Sequence, residues 1–269
     1  MSFFTAILLG ILQGLTEFIP VSSSGHLVLA QHFLGIQGET NITFEVFLHL
    51  GTLVAVVLYF YKQVWELVIS LFSWRRSLDG ETHRKNRCLV SYIIIATLTT
   101  MLFYLLFSGA LKAAYGSPLL VACMLAITGG LIFSSDYIRD PSVPASNMGV
   151  LKSVFIGLGQ GLAIMPGISR SGTTITVSLY SGIKRKDAAQ FSFLLSIPAI
   201  LGANVSEFSA LKALDTSVLH VYLAGFFASF IVGYLVIAFL IRMIQAGQLK
   251  YFAFYCWFIA SLSITSLVI

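Results

Sequence analysis

Residues 14–26 read GLTEFIPVSSSGH, and residues 166–174 read PGISRSGTT. Each polar, Gly/Ser-rich stretch interrupts a segment that is apolar at both ends, from about Ser2 to Leu34 and from about Leu151 to Gly182. Backbone of this kind cannot face lipid, because its N–H and C=O groups would lack partners. A re-entrant hairpin buried in protein meets that constraint, and a full crossing by a broken helix is the competing arrangement. A hairpin is the expectation for both segments.

Lipid is the solvent that the rest of the chain implies. Of 269 residues, 57% are hydrophobic and only 10% charged, whereas a soluble domain carries about a quarter charged residues. A soluble fold of this composition would have almost no polar skin. The opening MSFFTAILLG lacks a basic leader and a small-residue cleavage site, so it reads as mature structure. Cys88, Cys123 and Cys256 lie far apart and read as packing residues, with no Cys/His spacing suited to zinc. The net charge of +5 sits between apolar runs, which points to membrane topology and not to nucleic acid.

Six further stretches suit a bilayer crossing: Thr43–Tyr61, Leu89–Phe107, Pro118–Asp136, Ala188–Glu207, Leu219–Ile241 and Tyr251–Ile269. If both interrupted segments return to the side they entered, these spans alternate cleanly. One side then holds Lys62, Arg75, Arg76, Arg84, Lys85, Arg87, Arg139, Lys152, Lys184, Arg185, Lys186, Arg242 and Lys250; the other holds Lys112 and Lys212. That asymmetry predicts cytoplasmic basic loops and both termini outside. The stretch from Arg75 to Arg87 would also favour anionic headgroups.

The two interrupted segments align without gaps at an offset of 147 residues. Seven of the sixteen positions from Gly10 to Gly25 are identical: Gly10/Gly157, Gln13/Gln160, Gly14/Gly161, Leu15/Leu162, Ser22/Ser169, Ser24/Ser171 and Gly25/Gly172. Phe44/Phe191 and Leu48/Leu195 keep the same offset. Three spans separate the hairpins, so the copies would face opposite ways, as in transporters built from inverted repeats. The predicted fold is therefore an all-α polytopic membrane protein. It has six transmembrane helices and two re-entrant helical hairpins in one domain, residues 1–269, with repeats at about 1–136 and 150–269.

The copies differ where chemistry would sit: Glu17 faces Ile164, Ser23 faces Arg170, and His26 faces Thr173. In the second loop, backbone N–H groups at a helix start attract an anion, and small hydroxyls add donors. Arg170 adds a fork suited to phosphate oxygens. Alternatively Arg170 pairs permanently with Glu17 or binds loop carbonyls. In the first loop, Gln13 and Glu17 share a helix face. Ser22, Ser23 and Ser24 lie in the turn and are as readily capping groups as reactive ones, while His26 is either reactive or a satisfied core histidine. A serine or histidine could attack phosphorus, and Glu17 could orient His26 or hold a divalent cation. His49 and Glu45, four residues apart, are expected to hydrogen-bond across one turn. FSFLLSIP (residues 191–198) is expected to kink and to pack beside the Arg170 loop.

LGILQGLTEFIPVSSSGH (9–26) and PGISRSGTTIT (166–176), with FSFLLSIPA (191–199) following, resemble the paired signatures of the undecaprenyl-diphosphate phosphatase (bacitracin-resistance) family over essentially the whole chain. The resemblance implies hydrolysis of undecaprenyl diphosphate to the monophosphate and phosphate. That reaction recycles the lipid carrier of cell-wall synthesis and confers bacitracin resistance. It places the family's acidic-or-amide pair on Gln13 and Glu17, the proposed nucleophile on Ser23, the adjacent histidine on His26 and the phosphate-stabilising arginine on Arg170. Ser22, Ser169, Ser171, Gly172 and Thr174 also match. Many relatives carry glutamate at the place of Gln13, so Glu17 would hold Mg2+ or Ca2+ alone; Ser24 replaces a commoner threonine.

The expected catalytic residues are thus Glu17, Ser23, His26 and Arg170. Gln13, Ser22, Ser24, Ser169, Ser171, Gly172, Thr173 and Thr174 are expected to bind substrate. The expected partners are a polyprenyl diphosphate and membrane lipids, with room for a homodimer and none for nucleic acid. The expected location is the bacterial cytoplasmic membrane, with the site open to the outer face. A carrier or flippase for polyprenyl phosphate or another anion, without hydrolysis, is the rival reading.

Overall fold

A computed structural model describes residues 1–36, 42–72, 80–206 and 218–269. Arg75, Arg76 and Lys212 of the basic-loop pattern, and Glu207 at the end of one expected span, lie outside the described residues. The fold is helical: among the described residues the only β-pairing is an isolated bridge between Val143 and Ile183. In chain order the helices are α1 (Phe3–Phe18), α2 (Ser23–Phe33), α3 (Ile42–Tyr59), α4 (Tyr61–Phe72), α5 (Gly80–Ala114), α6 (Pro118–Ser135), α7 (Val150–Leu162), α8 (Arg170–Tyr180), α9 (Arg185–Ser206), α10 (Leu219–Gln245) and α11 (Lys250–Val268).

Five of these, α5, α6, α9, α10 and α11, are each long and apolar enough to cross a membrane. The sixth expected span, α3, qualifies together with α4, from which it is bent by 79°. The apolar run was expected to end near Tyr61, yet the chain continues as helix. In α4, Leu67 and Ser70 are buried while Trp65 and Phe72 are exposed. This two-faced pattern suits a helix lying along an interface more than one crossing it. The α5 helix also begins nine residues before the expected Leu89. Its polar first turns carry a Glu81–Lys85 pair at 2.7 Å, the i,i+4 spacing that supports an exposed helix.

Both interrupted segments are helix pairs broken at the polar motifs, α1 with α2 and α7 with α8. Each first helix packs in the distant half of the chain: α1 lies against α10, and α7 lies against α5. Glycine permits both approaches. A Cβ on Gly10 would come within 2.4 Å of the Gly225 carbonyl and 2.8 Å of the Ala228 Cβ. A Cβ on Gly157 would meet the Ala96 carbonyl at 2.5 Å and the Thr99 Cβ at 2.8 Å. Thr100 bonds across the second contact, its hydroxyl donating to the Gly157 carbonyl at 2.9 Å and accepting from Gln160 Nε2 at 3.0 Å.

Gly157→Val is therefore expected to force α5 and α7 apart at a cost of about 3 kcal/mol. The thermal midpoint in detergent should fall by roughly 6 °C or more. A midpoint within about 1 °C of the parent would contradict so close a contact.

Three contacts anchor the broken ends. Phe18, the last residue of α1, meets Phe193 of α9 edge-on with centroids 5.6 Å apart. Thr174 of α8 shares a hydroxyl bond of 2.7 Å with Ser192, so FSFLLSIP does pack beside the Arg170 loop. Finally, α6 and α11 run together, with Trp257 Nε1 donating to the Ala126 carbonyl at 3.0 Å. That pair forms a footing under both loops.

Candidate active site

The first loop turns in four residues. Helix α1 stops at Phe18 because Pro20 disfavours helix at Ile19. Ser22 takes a left-handed backbone, φ 69° and ψ 94°. Its hydroxyl then caps α2, accepting from the Gly25 N–H at 3.2 Å. In the second loop, Gly167 supplies the left-handed position at φ 94°. Ser169, with an ordinary φ of −74°, caps α8 by accepting from the Gly172 N–H at 3.1 Å. Thr128 of α6 fastens this loop, donating to the Gly167 carbonyl at 2.8 Å and accepting from the Ser169 N–H at 3.0 Å.

The two tips touch. A Cβ on Gly25 would lie 2.9 Å from the Gly167 Cα, and one on Gly172 would lie 3.2 Å from the Pro20 Cβ. The contact brings together charges that are 153 residues apart in sequence. Arg170 Nη2 pairs with Glu17 Oε1. The other carboxylate oxygen, Oε2, accepts from Ser23 Oγ at 2.6 Å and from Gln13 Nε2 at 2.9 Å. His49 Nε2 stands 3.7 Å from the same oxygen.

Glu17 is buried and Arg170 is partly so, and the carboxylate depends on the guanidinium for charge compensation. The pairing foreseen as the alternative for Arg170 is present, but it does not exhaust the guanidinium. Nη1 is buried and has no hydrogen-bond partner.

Beside this cluster lies a cavity of about 600 Å3. Its polar wall includes Glu17, Ser22, Ser23, Ser24, Ser169 and Arg170, so the N-termini of α2 and α8 both meet it. Its apolar wall includes Met101, Leu105, Ile164, Ile168, Ala199 and Ile200. The remaining expected binding residues stand behind this surface. Gln13 holds Glu17 from the buried side. Ser171 reaches the Ser169 hydroxyl at 3.2 Å and the Ile19 carbonyl at 3.4 Å. Thr174 bonds to Ser192, and Thr173 is buried with its hydroxyl unpartnered. Gly172 leaves room for the Pro20 contact.

One expectation needs revision. His26 does not meet Glu17: its Nδ1 bonds to the Ser22 carbonyl at 2.8 Å, and its Nε2 to the Tyr255 hydroxyl at 3.0 Å. The imidazole beside Glu17 is that of His49. His49 and Glu45 do bond across one turn, through His49 Nδ1 and the Glu45 main-chain carbonyl at 2.7 Å, while Gln31 donates to the Glu45 carboxylate Oε1 at 3.0 Å. On a helix, a short ring four residues on meets the carbonyl before it can meet a side chain.

Tyr104, Tyr115, Gln160 and Asn204 also line the cavity and were not foreseen as site residues. Gln160 had a signal, as the repeat partner of Gln13. The others had none.

The family model described as "Bacitracin resistance protein BacA" matches residues 6–262. Relatives named "Undecaprenyl-diphosphatase" are similar over nearly their full length. That of Methanobrevibacter smithii is 41% identical, covering 96% of this chain and 95% of the relative. That of Syntrophotalea carbinolica is 40% identical, with 96% of each covered, and that of Desulforapulum autotrophicum 38%, with 98% of each.

Proposed function

The chain belongs to the BacA bacitracin resistance family, and from that premise we propose that it hydrolyses undecaprenyl diphosphate in the cavity between the two loop tips. The products are undecaprenyl phosphate and inorganic phosphate, which recycles the lipid carrier of cell-wall synthesis and confers resistance to bacitracin. One observation carries the assignment to this cavity. Arg170, already neutralised by Glu17 through one nitrogen, keeps Nη1 buried and unpartnered, and its side chain lines the cavity where four serines and two helix starts converge. A buried donor without a partner is unfavourable unless a ligand satisfies it, and this donor set suits phosphate.

Arg170 and the N–H groups at the starts of α2 and α8 hold the terminal phosphate and offset charge on its oxygens, the main demand of phosphoryl transfer. Ser23 Oγ attacks the terminal phosphorus, the P–O bond to the bridging oxygen breaks, and undecaprenyl phosphate leaves. The serine proton passes to Glu17 Oε2, which already accepts it in a 2.6 Å hydrogen bond. Water then attacks the phosphoserine, giving phosphate and restoring the hydroxyl proton from Glu17. His26 is not the attacking group in this scheme, because both ring nitrogens are engaged away from Glu17.

Oxygen donors at the site suit a hard cation such as Mg2+ or Ca2+. Glu17, which lines the cavity, would hold it. When bound it would add positive charge beside the phosphates, and no step above depends on it.

We further propose that α3, α5, α6, α9, α10 and α11 span the cytoplasmic membrane while the two broken pairs re-enter it, with repeats at about 1–136 and 150–269. The reciprocal packing of α1 on α10 and α7 on α5, each through a glycine, supports the repeats. The basic residues favour both termini outside, with the site opening outward.

That reciprocity also suits the carrier reading. Phosphate release by purified protein in detergent separates the two, since transport has no meaning there. Steady release from polyprenyl diphosphate is expected. Binding without release would leave the carrier.

A further inference from the structure

Ser22 is one of two non-glycine residues with positive φ among those described. Such a backbone is unfavourable for a residue with a Cβ and persists only where its surroundings hold it. Here the holder is visible. The Ser22 carbonyl accepts twice from His26, from its backbone N–H at 3.1 Å and from its ring Nδ1 at 2.8 Å. A carbonyl can only accept, so Nδ1 carries the hydrogen, and Nε2 of the neutral ring is an acceptor. Its partner is the Tyr255 hydroxyl at 3.0 Å, which donates. The two rings lie nearly parallel, 6° apart, with centroids at 5.5 Å.

The second loop provides the contrast. At the repeat position of His26 stands Thr173, whose hydroxyl has no partner, and the corresponding Ser169 has an ordinary φ. The imidazole clamp occurs in the loop whose left-handed position falls on a residue with a Cβ, whereas in the second loop that position is taken by Gly167. That loop also sets Ser23 against Glu17.

We propose that Tyr255 is a positioning residue for the reaction: from the last helix it fixes the His26 imidazole, which holds the Ser22 turn and so aims Ser23 at the cavity. This rests on the reading of Ser23 as the attacking group. Tyr255 touches no reacting atom and acts through His26 alone. Because α11 packs on α6, whose Thr128 fastens the opposite loop, one helix pair registers both halves of the site.

The test uses full-length purified protein in detergent, polyprenyl diphosphate, and the thermal midpoint of every variant as a check on folding. Tyr255→Phe keeps the ring stack and removes the donor; it should lower kcat about tenfold with KM within about twofold, the signature of misaimed reacting groups. His26→Asn keeps an N–H near the place of Nδ1 but cannot reach Tyr255, so it should lower kcat to a similar extent. Tyr255→Phe should then have no further effect in the His26→Asn background.

Parent-like kcat in Tyr255→Phe would overturn the proposal, as would effects that multiply in the double variant. His26→Asn as inactive as Ser23→Ala would also overturn it, by making the imidazole itself chemical. An active Ser23→Ala would instead sink the reading beneath it, and that result is distinct from all of these.

Discussion

Arg170→Ala is expected to slow phosphate release from polyprenyl diphosphate by about a thousandfold or more, the range seen when a charge-stabilising donor or arginine is removed from a transfer site. The side chain does two things at once. Nη2 compensates Glu17, and the spare Nη1 is the buried donor left for substrate. Truncation therefore also leaves a buried carboxylate unpaired, at about 3–5 kcal/mol. A lowered thermal midpoint is expected alongside the lost rate, and the two must be measured together.

Arg170→Lys separates them. It keeps the charge for Glu17 and loses the fork. It should recover most of the stability while staying at least about tenfold below the parent rate. Arg170→Ala that is folded and within threefold of the parent would remove the clamp from the mechanism.

Ser23→Ala is the second large effect, a loss of at least about a thousandfold if its oxygen forms the covalent intermediate. Here the fold should survive. Ser23 gives one hydrogen bond to Glu17 Oε2, and Gln13 still donates to that oxygen at 2.9 Å. A loss of stability of about 1.5–3 kcal/mol is the most that one bond to a charged group should bring. A midpoint near the parent with activity gone is the expected pattern. Activity within tenfold of the parent would mean that water attacks directly and that the hydroxyl only orients Glu17.

The site was legible in part, and for identifiable reasons. The two breaks were readable because loop backbone has nowhere to go in lipid except into protein. The pairing of Arg170 with Glu17 was open only as the alternative to an anion, since an isolated guanidinium at that depth needs a partner of some kind. Whole-chain similarity to the BacA family agrees with the motifs that suggested it.

Side-chain direction was not readable. Whether His26 turned to Glu17 or away depended on the Ser22 backbone and on Tyr255, 229 residues distant. The spacing of Glu45 and His49 permitted a side-chain pair, but the nearer main-chain carbonyl took the ring nitrogen. The bend at Phe60 carries no proline or glycine to announce it. Phe60 is buried against Phe193, and that contact is tertiary.

Rapid acid quench during turnover, with the terminal phosphate labelled, tests the convergence of both loops on one headgroup most directly. Mass spectrometry of the quenched protein should find the label on Ser23, none on His26, and none on any residue in Arg170→Ala. Label on His26, or label on Ser23 at the parent rate without Arg170, would contradict the account.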